Sequence, residues 1–349
     1  MLTTLLIFSG ALAFAVGGTP LARRLAAHTG VMDAPSARKV HAEPVPLLGG
    51  AAIYAAVMLA LLLFGERHEV AQLAGILIGA TLVSFLGLWD DRWPLRPAFK
   101  LAGQLGATSV LVLSGVRVQL FGDAIADGLV TVLWVVAVTN ALNFMDNMDG
   151  LSGGVAGVAA GSFLLLAVAN DQLLVAPLAA ALLGACLGFL VYNFNPASIF
   201  MGDGGSLFLG FALAALGIKL RFPGLPTAVT WVVPVLVLAV PLFDLALVLV
   251  SRARRGVNPF TTGGRDHLSH RLVAAGLTTR EATLGLYLVG CGAGAVAILL
   301  TSYGSVLFTN LVVVAAAVVG AWALWRLELS AGALRGRVQA EPGPGTKHA

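Results

Sequence analysis

Four short stretches of this chain combine residue types that handle phosphates and hard cations. The first is Asp90-Asp91, in GLWDDRWPLRPAFK. Adjacent carboxylates repel unless a cation or a proton lies between them. The pair reads as a divalent-metal or general-base site, or as a solvated helix end neutralised by Arg92. The second is NALNFMDNMDGLSGG, residues 140–154. Asn140, Asn143 and Asn147 share one helical face, and Asp146 and Asp149 are helical neighbours. Such a face offers oxygen ligands to Mg²⁺, which takes one or two carboxylates plus substrate phosphates. A capped helix end explains one Asp and Gly150, but not the amides. The third is NFNPASIFMGDGGSLFLGF, residues 193–211. A glycine-rich turn opening a helix near Ser206 presents backbone N–H groups to an anion. Asp203 can hold an accompanying metal and Phe200 can stack on a base; the plainer alternative is a capped interhelical turn. The fourth is GGRDHLSHRL, residues 263–272. His267, His270, Arg265 and Arg271 suit phosphate or diphosphate. The alternative is a solvated basic loop, and a zinc site lacks a third soft ligand.

Two further features stand beside these. The loop DAPSARKVHAEPVPLLGG brings Arg38, Lys39 and His41 before a Pro/Gly turn. Asp244 lies inside an apolar run, where it pairs with a cation in the bundle or orients a catalytic group.

The elements that must position these residues are membrane helices. The chain has 349 residues, 58% hydrophobic and only 11% charged. Soluble domains carry about 25% charged residues, so a soluble globular enzyme and a disordered chain are both excluded. A lipid-spanning backbone must be helical or a closed barrel, and the continuous apolar runs favour an all-α polytopic membrane protein. Eleven spans are expected, near 1–19, 47–64, 71–89, 99–115, 128–146, 150–169, 173–193, 206–221, 228–250, 281–302 and 305–327. The first run has no cation before it and reads as a membrane helix rather than a cleaved signal peptide. The expected organisation is one catalytic membrane domain, 1–327, with loops near 20–46, 90–99, 146–150, 194–205 and 251–280. A disordered tail, 328–349, follows. Cys186 and Cys291 sit in apolar runs and read as small hydrophobes.

Charge orients the spans. Alternating sides along the chain, 17 of the 21 Lys and Arg residues fall on the side of the first loop. Cytoplasmic loops carry that excess, so the N-terminus is expected outside and the C-terminus in the cytoplasm. All four polar clusters fall on the cytoplasmic side. The net charge of +4 is then a topology signal with some attraction for anionic lipid, and calls for no nucleic acid. Carboxylates, amides and cations gathered on one face suit Mg²⁺-dependent handling of a phosphorylated substrate. A secondary transporter is the alternative from another class. It would place ionisable residues at mid-membrane on repeated broken helices, and no repeat is visible.

The stretches RKVH…PLLGG, DDRWPLRPAFKLAGQ, NALNFMDNMDGL and NPASIFMGDGGSLFLGF, in this order, resemble the signature blocks of the polyprenyl-phosphate N-acetylhexosamine-1-phosphate transferases. That membrane family includes phospho-MurNAc-pentapeptide translocase. The resemblance runs over roughly 1–327. It implies that a polyprenyl (undecaprenyl or decaprenyl) phosphate attacks a UDP-sugar, giving polyprenyl-diphosphate-sugar and UMP, at the inner membrane of a bacterium. It implies Mg²⁺, with Mn²⁺ as a substitute, and a homodimer. By resemblance Asp90, Asp91, Asp146, Asp149, His267 and His270 are catalytic, with Asp90 helping to deprotonate the lipid phosphate. Asp203 and Asp91 bind the metal. Lys39, Lys100, Asn143, Asn193, Phe200, Gly202, Arg265 and Arg271 bind substrate, with Asn193 and Phe200 at the uridine. The chain departs from the pattern twice. Asn147 stands where Asp-Gly-x-Asp-Gly has its first glycine, and Ser269 stands where His-x-His-His has its middle histidine. The last loop lacks the His-rich stretch of the MurNAc-pentapeptide branch and looks more like the GlcNAc-1-phosphate branch that starts surface glycans. Another UDP-N-acetylhexosamine or UDP-MurNAc-pentapeptide is the alternative donor.

Overall fold

The computed structural model describes residues 1–33, 43–66, 68–258, 264 and 266–340, with the backbone alone for 228 and 330–340. In chain order the elements are α1 (Leu2–Thr29), β1 (Met32–Asp33), β2 (Val45–Pro46), α2 (Gly49–Phe64), α3 (Val70–Arg92), α4 (Pro97–Leu113), α5 (Ala124–Met145), α6 (Leu151–Ala169), α7 (Val175–Asn193), α8 (Gly202–Lys219), α9 (Thr227–Thr230), α10 (Val232–Val237), α11 (Ala239–Arg254), α12 (Leu268–Ala274), α13 (Thr279–Tyr303) and α14 (Val306–Ala340). The two short strands pair antiparallel, Met32 opposite Pro46. Seven described helices are long and apolar enough to cross a membrane, and α2 and α4 are shorter apolar helices. The chain is therefore a polytopic helical membrane protein.

Each expected apolar run is helical, but four boundaries move. The run expected at 228–250 is divided into α9, α10 and α11. Pro234 and Pro241 lack the N–H that would continue the ladder, so the helix is interrupted at Trp231 and Leu238. The first helix continues to Thr29 with Pro20 inside it. The helix expected from Ser206 begins at Gly202, which places Asp203 in its first turn, where the helix dipole favours a carboxylate. The last helix runs to Ala340 rather than giving way to a disordered tail after 327; residues 341–349 lie outside the described residues. The loop expected at 251–280 also contains α12, which the apolar pattern did not signal.

The core is built around α8, buried along nearly its whole length and packed against α2, α3, α5 and α6. Helices α1, α2, α6 and α7 form the adjoining layer. Outward-facing Leu62, Leu113, Leu133 and Leu288 are exposed, as lipid-facing side chains must be. Close approach to the start of α8 needs small residues. A Cβ at Gly87 of α3 would stand 2.3 Å from the Asp203 carbonyl oxygen, so only glycine lets the last turns of α3 reach it.

Inside lipid every backbone acceptor needs an internal partner. Pro20 cannot donate to the Val16 carbonyl four residues earlier. Tyr192 of α7 does so instead, its hydroxyl donating to Val16 O at 3.0 Å. Tyr192→Phe should therefore lower stability by about 1 kcal/mol. In a Pro20→Ala background, where residue 20 regains an N–H, it should lower stability by far less. Thermal unfolding of the purified variants in detergent checks both.

Candidate active site

Three helices bring polar side chains to the start of α8. Asp90 and Asp91 occupy the last turn of α3, Lys100 the first turn of α4, and Asn143 the last turn of α5. The Asp91 carboxylate accepts from the Asp203 N–H at 2.8 Å and the Gly204 N–H at 3.1 Å. The backbone donors that the sequence offered to an anion are thus held by a side chain of the protein. Gly202 makes room for this cap: its φ is +73°, and a Cβ there would stand 2.6 Å from the Asp91 carboxylate.

Asp203 is the hub. Its Oδ2 accepts from Lys100 Nζ at 2.5 Å and its Oδ1 from Asn143 Nδ2 at 2.8 Å. Asn143 also donates to Ser206 Oγ at 3.0 Å. Lys100 bridges to Asp90 Oδ2 at 2.9 Å, while Asp90 Oδ1 takes the Leu95 N–H at 2.5 Å. One turn deeper, Asn140 Nδ2 donates to Gln104 Oε1 at 2.7 Å. That amide contact fixes α4 against α5 below Lys100 and Asn143. In the sequence Gln104 reads only as a polar interruption of the short fourth apolar run; its partner Asn140 is shown by the fold.

Helix α5 ends at Met145, so Asn147 leaves the helical face it was expected to share with Asn140 and Asn143. Asp146 follows in the loop beside Asp91, Asp149 and Asp203. Burial first, and then the negative charges of Asp203, Asp91 and Asp149, hold its carboxyl well above the usual carboxylate range. Asp149 Oδ2 accepts from Asn195 Nδ2 at 2.9 Å and from the Ala197 N–H at 3.0 Å. Buried Asn193 accepts from the Gly150 N–H at 3.1 Å and donates to the Ile199 carbonyl at 2.9 Å. It thereby ties the 146–150 loop to the Phe200 loop. Phe200 itself is held by its backbone between Pro46 O and the Gly49 N–H.

The histidine segment approaches from the other side. His267 Nδ1 lies 2.8 Å from Asp244 Oδ2, and the Leu268 N–H donates to Asp244 Oδ1 at 2.6 Å. A carboxylate partner fixes the proton on Nδ1 and leaves Nε2 as the other face of the ring. Asp244 is therefore an orienting group for His267; the lone carboxylate in an apolar run was its only sequence signal. His270 stands edge-on to His267, with ring centroids 6.2 Å apart. Arg271 faces elsewhere. Its guanidinium donates to Asp266 O, Leu327 O, Ser251 Oγ and Glu328 Oε1, anchoring α12 to α11 and α14. Burial of Asp266 is outweighed by Arg255 at 2.7 Å and Arg252 at 3.3 Å, which hold its carboxyl below the usual range. Lys39 and Arg265 lie outside the described residues.

Among the described residues no three His, Cys, Asp or Glu side chains close into a metal cluster. Asp91 and Asp203, with Asp146 beside them, form an open carboxylate set. That donor set fits Mg²⁺, which keeps several positions for phosphate and water, and does not fit a closed structural metal. An apolar groove of about 540 Å³ between α3 and α4 is lined by Leu82, Phe85, Trp89, Leu95, Phe99 and Gly103 among others; Trp89 and Phe99 directly precede Asp90 and Lys100 in the chain.

Residues 73–221 match the family model described as Glycosyl transferase family 4. The chain is 34% identical over 281 residues to a probable undecaprenyl-phosphate N-acetylglucosaminyl 1-phosphate transferase of Bacillus subtilis, covering 78% of each chain. It is 33% identical over 302 residues to a decaprenyl-phosphate N-acetylglucosaminephosphotransferase of Mycolicibacterium smegmatis, covering 76% of this chain and 74% of the relative. An undecaprenyl-phosphate alpha-N-acetylglucosaminyl 1-phosphate transferase of Yersinia pestis is 29% identical over 282 residues, with 75% and 74% covered.

The crowding around Asp146 has a measurable consequence. A carboxyl raised on folding lowers stability progressively as pH rises above the ordinary carboxylate range and through its folded value. Asp146→Asn removes that charge. It should raise the Tm of the metal-free protein at neutral pH by about 3 °C, with a smaller gain at acid pH, as read by thermal unfolding in detergent.

Proposed function

This chain belongs to glycosyl transferase family 4, and we propose that it transfers GlcNAc-1-phosphate from UDP-GlcNAc to a polyprenyl phosphate and releases UMP. The observation that carries the reading is Lys100 held between Asp90 and Asp203, with an apolar groove lined by the adjoining Trp89, Leu95 and Phe99. A cation among carboxylates at a lipid-facing groove suits a lipid phosphate meeting a diphosphate. The matched relatives, named for N-acetylglucosamine phosphate transfer, support the sugar.

In this reading the isoprenoid tail lies in the α3–α4 groove, and Lys100 turns its ammonium to the incoming phosphate. Asp90 keeps Lys100 placed and accepts any remaining acceptor proton. The acceptor is mostly dianionic at neutral pH, since its second pKa is about 6, so direct attack on the β-phosphorus needs little base. A covalent aspartyl-phosphate route is the alternative. His267, oriented by Asp244, and His270 face the phosphates as donors. Asp203 and Asp91 would hold Mg²⁺, which when bound neutralises the diphosphate and stabilises departing UMP. Phosphoryl transfer of this kind depends mainly on positioning and charge neutralisation, which is what these side chains supply. The proposal includes eleven crossings of a bacterial inner membrane, an external N-terminus, a cytoplasmic site and a second copy of the chain as partner. The cation excess on one side supports the orientation.

Purified protein with polyprenyl phosphate, Mg²⁺ and UDP-GlcNAc, UDP-GalNAc or UDP-MurNAc-pentapeptide in parallel tests the reading. UMP should appear with UDP-GlcNAc only. EDTA should abolish it, and Asp203→Ala should lower it at least about 1,000-fold. UMP from another donor alone would replace the sugar. No UMP from any donor, in a folded preparation, would overturn the reaction.

A further inference from the structure

The two positions at which this chain departs from the family's motifs touch each other. Ser269 Oγ donates to Asn147 Oδ1 at 2.7 Å. Asn147 Nδ2 donates in turn to the Phe144 carbonyl at 2.9 Å, which fixes the amide so that its oxygen faces Ser269. Ser269 is only 1% exposed, so its hydroxyl has little access to water and an unmet donor there would be unfavourable. Asn147 sits between Asp146 and Asp149 on the carboxylate loop. Ser269 sits between His267 and His270 on α12. The hydrogen bond therefore joins the midpoint of one chemical segment to the midpoint of the other.

We propose that Asn147 and Ser269 form a positioning pair that sets the histidine segment against the carboxylate loop, and that each residue is matched to the other. The inference rests on the transferase reading above for its catalytic consequence. The physical reasoning is one of constraint. His267 is held from α11 by Asp244, and the edge of its ring meets Phe144 at a centroid distance of 6.5 Å. Phe144 is also the residue whose carbonyl receives the Asn147 amide. The chain Ser269–Asn147–Phe144–His267 thus closes a loop of contacts around the imidazole. Asp244 sets which nitrogen carries the proton; the Asn147–Ser269 bond sets how far the ring stands from the carboxylates. A glycine at 147 would have no side chain to bond Ser269, and an apolar residue at 269 would leave the Asn147 oxygen unmet. Neither position touches a reacting atom in this arrangement, so both act through the histidines.

The test is a double-mutant cycle with two readouts. Asn147→Ala and Ser269→Ala should each lower kcat about tenfold, with KM for the UDP-sugar changed by less than about twofold. The double variant should lose the same tenfold, not about a hundredfold, since one shared bond is removed once. Amide hydrogen exchange in peptides over 266–274 should rise about fivefold in each single variant, and no further in the double. Additive losses, an unchanged kcat, or losses confined to Tm and KM would overturn the pair. Unchanged exchange over 266–274 would also overturn it, whatever the turnover. Absence of UMP release by the unsubstituted enzyme would count against the transferase reading, while the exchange measurement would still decide the tether.

Discussion

The site depends on how a buried helix start is satisfied. Helix α8 sits at the centre of the bundle, and its first N–H groups have no partner within the helix. Buried inside the protein, such donors need a partner. Asp91 of α3 supplies the missing acceptor with both carboxylate oxygens. That solution brings a negative charge to within hydrogen-bonding distance of Asp203, and one anion recruits the rest. Lys100 joins Asp203 to Asp90, and Asn143 meets the other oxygen of Asp203. A requirement of backbone chemistry thereby becomes a compact array of carboxylates around one ammonium.

The array is held unequally. Among the described residues Lys100 is the cation bonded within an array of Asp90, Asp91, Asp146 and Asp203, and burial with the neighbouring negative charges holds the Asp146 carboxyl well above the usual range. Such a site is short of positive charge by itself and attracts a cation. The histidine half is built differently. His267 is fixed by the buried carboxylate of Asp244, and α12 is tied to α11 and α14 through Arg271. The two halves meet at the 146–150 loop, braced from behind by Asn193. That loop is where small changes in side chain would alter the spacing of both.

Much of this was legible in the residues. Apolar run length located the helices, because a lipid-spanning segment must be long and continuous. The polar clusters at Asp90, Asn143, Asp203 and His267 stood out against that background for the same reason. Run length alone read 228–250 as one span; the interruptions that follow from Pro234 and Pro241 appear in the structure. What stayed hidden was partnership between residues far apart in sequence. An aspartate in a membrane run announces that it needs a partner, but not that the partner of Asp244 is His267. The type of Arg271 suits an anionic ligand, and only packing reveals its commitment to Asp266, Ser251 and Glu328. The amide of Asn193 suits a base edge equally well, yet it bonds backbone on both sides. Gln104 stood out only as a polar interruption of a short apolar run, since one amide does not name its partner.

The most direct test of the site is the position of metal and nucleotide relative to the start of α8. Crystals soaked with Mn²⁺ and UDP-GlcNAc would locate the metal by its anomalous scattering. The expected result is one Mn²⁺ bound by a carboxylate oxygen of Asp203 at about 2.2 Å and by oxygens of the diphosphate, with Lys100 turned from Asp203 towards phosphate. Metal and diphosphate bound together elsewhere, with the Lys100 bridge to Asp90 and Asp203 intact, would contradict it.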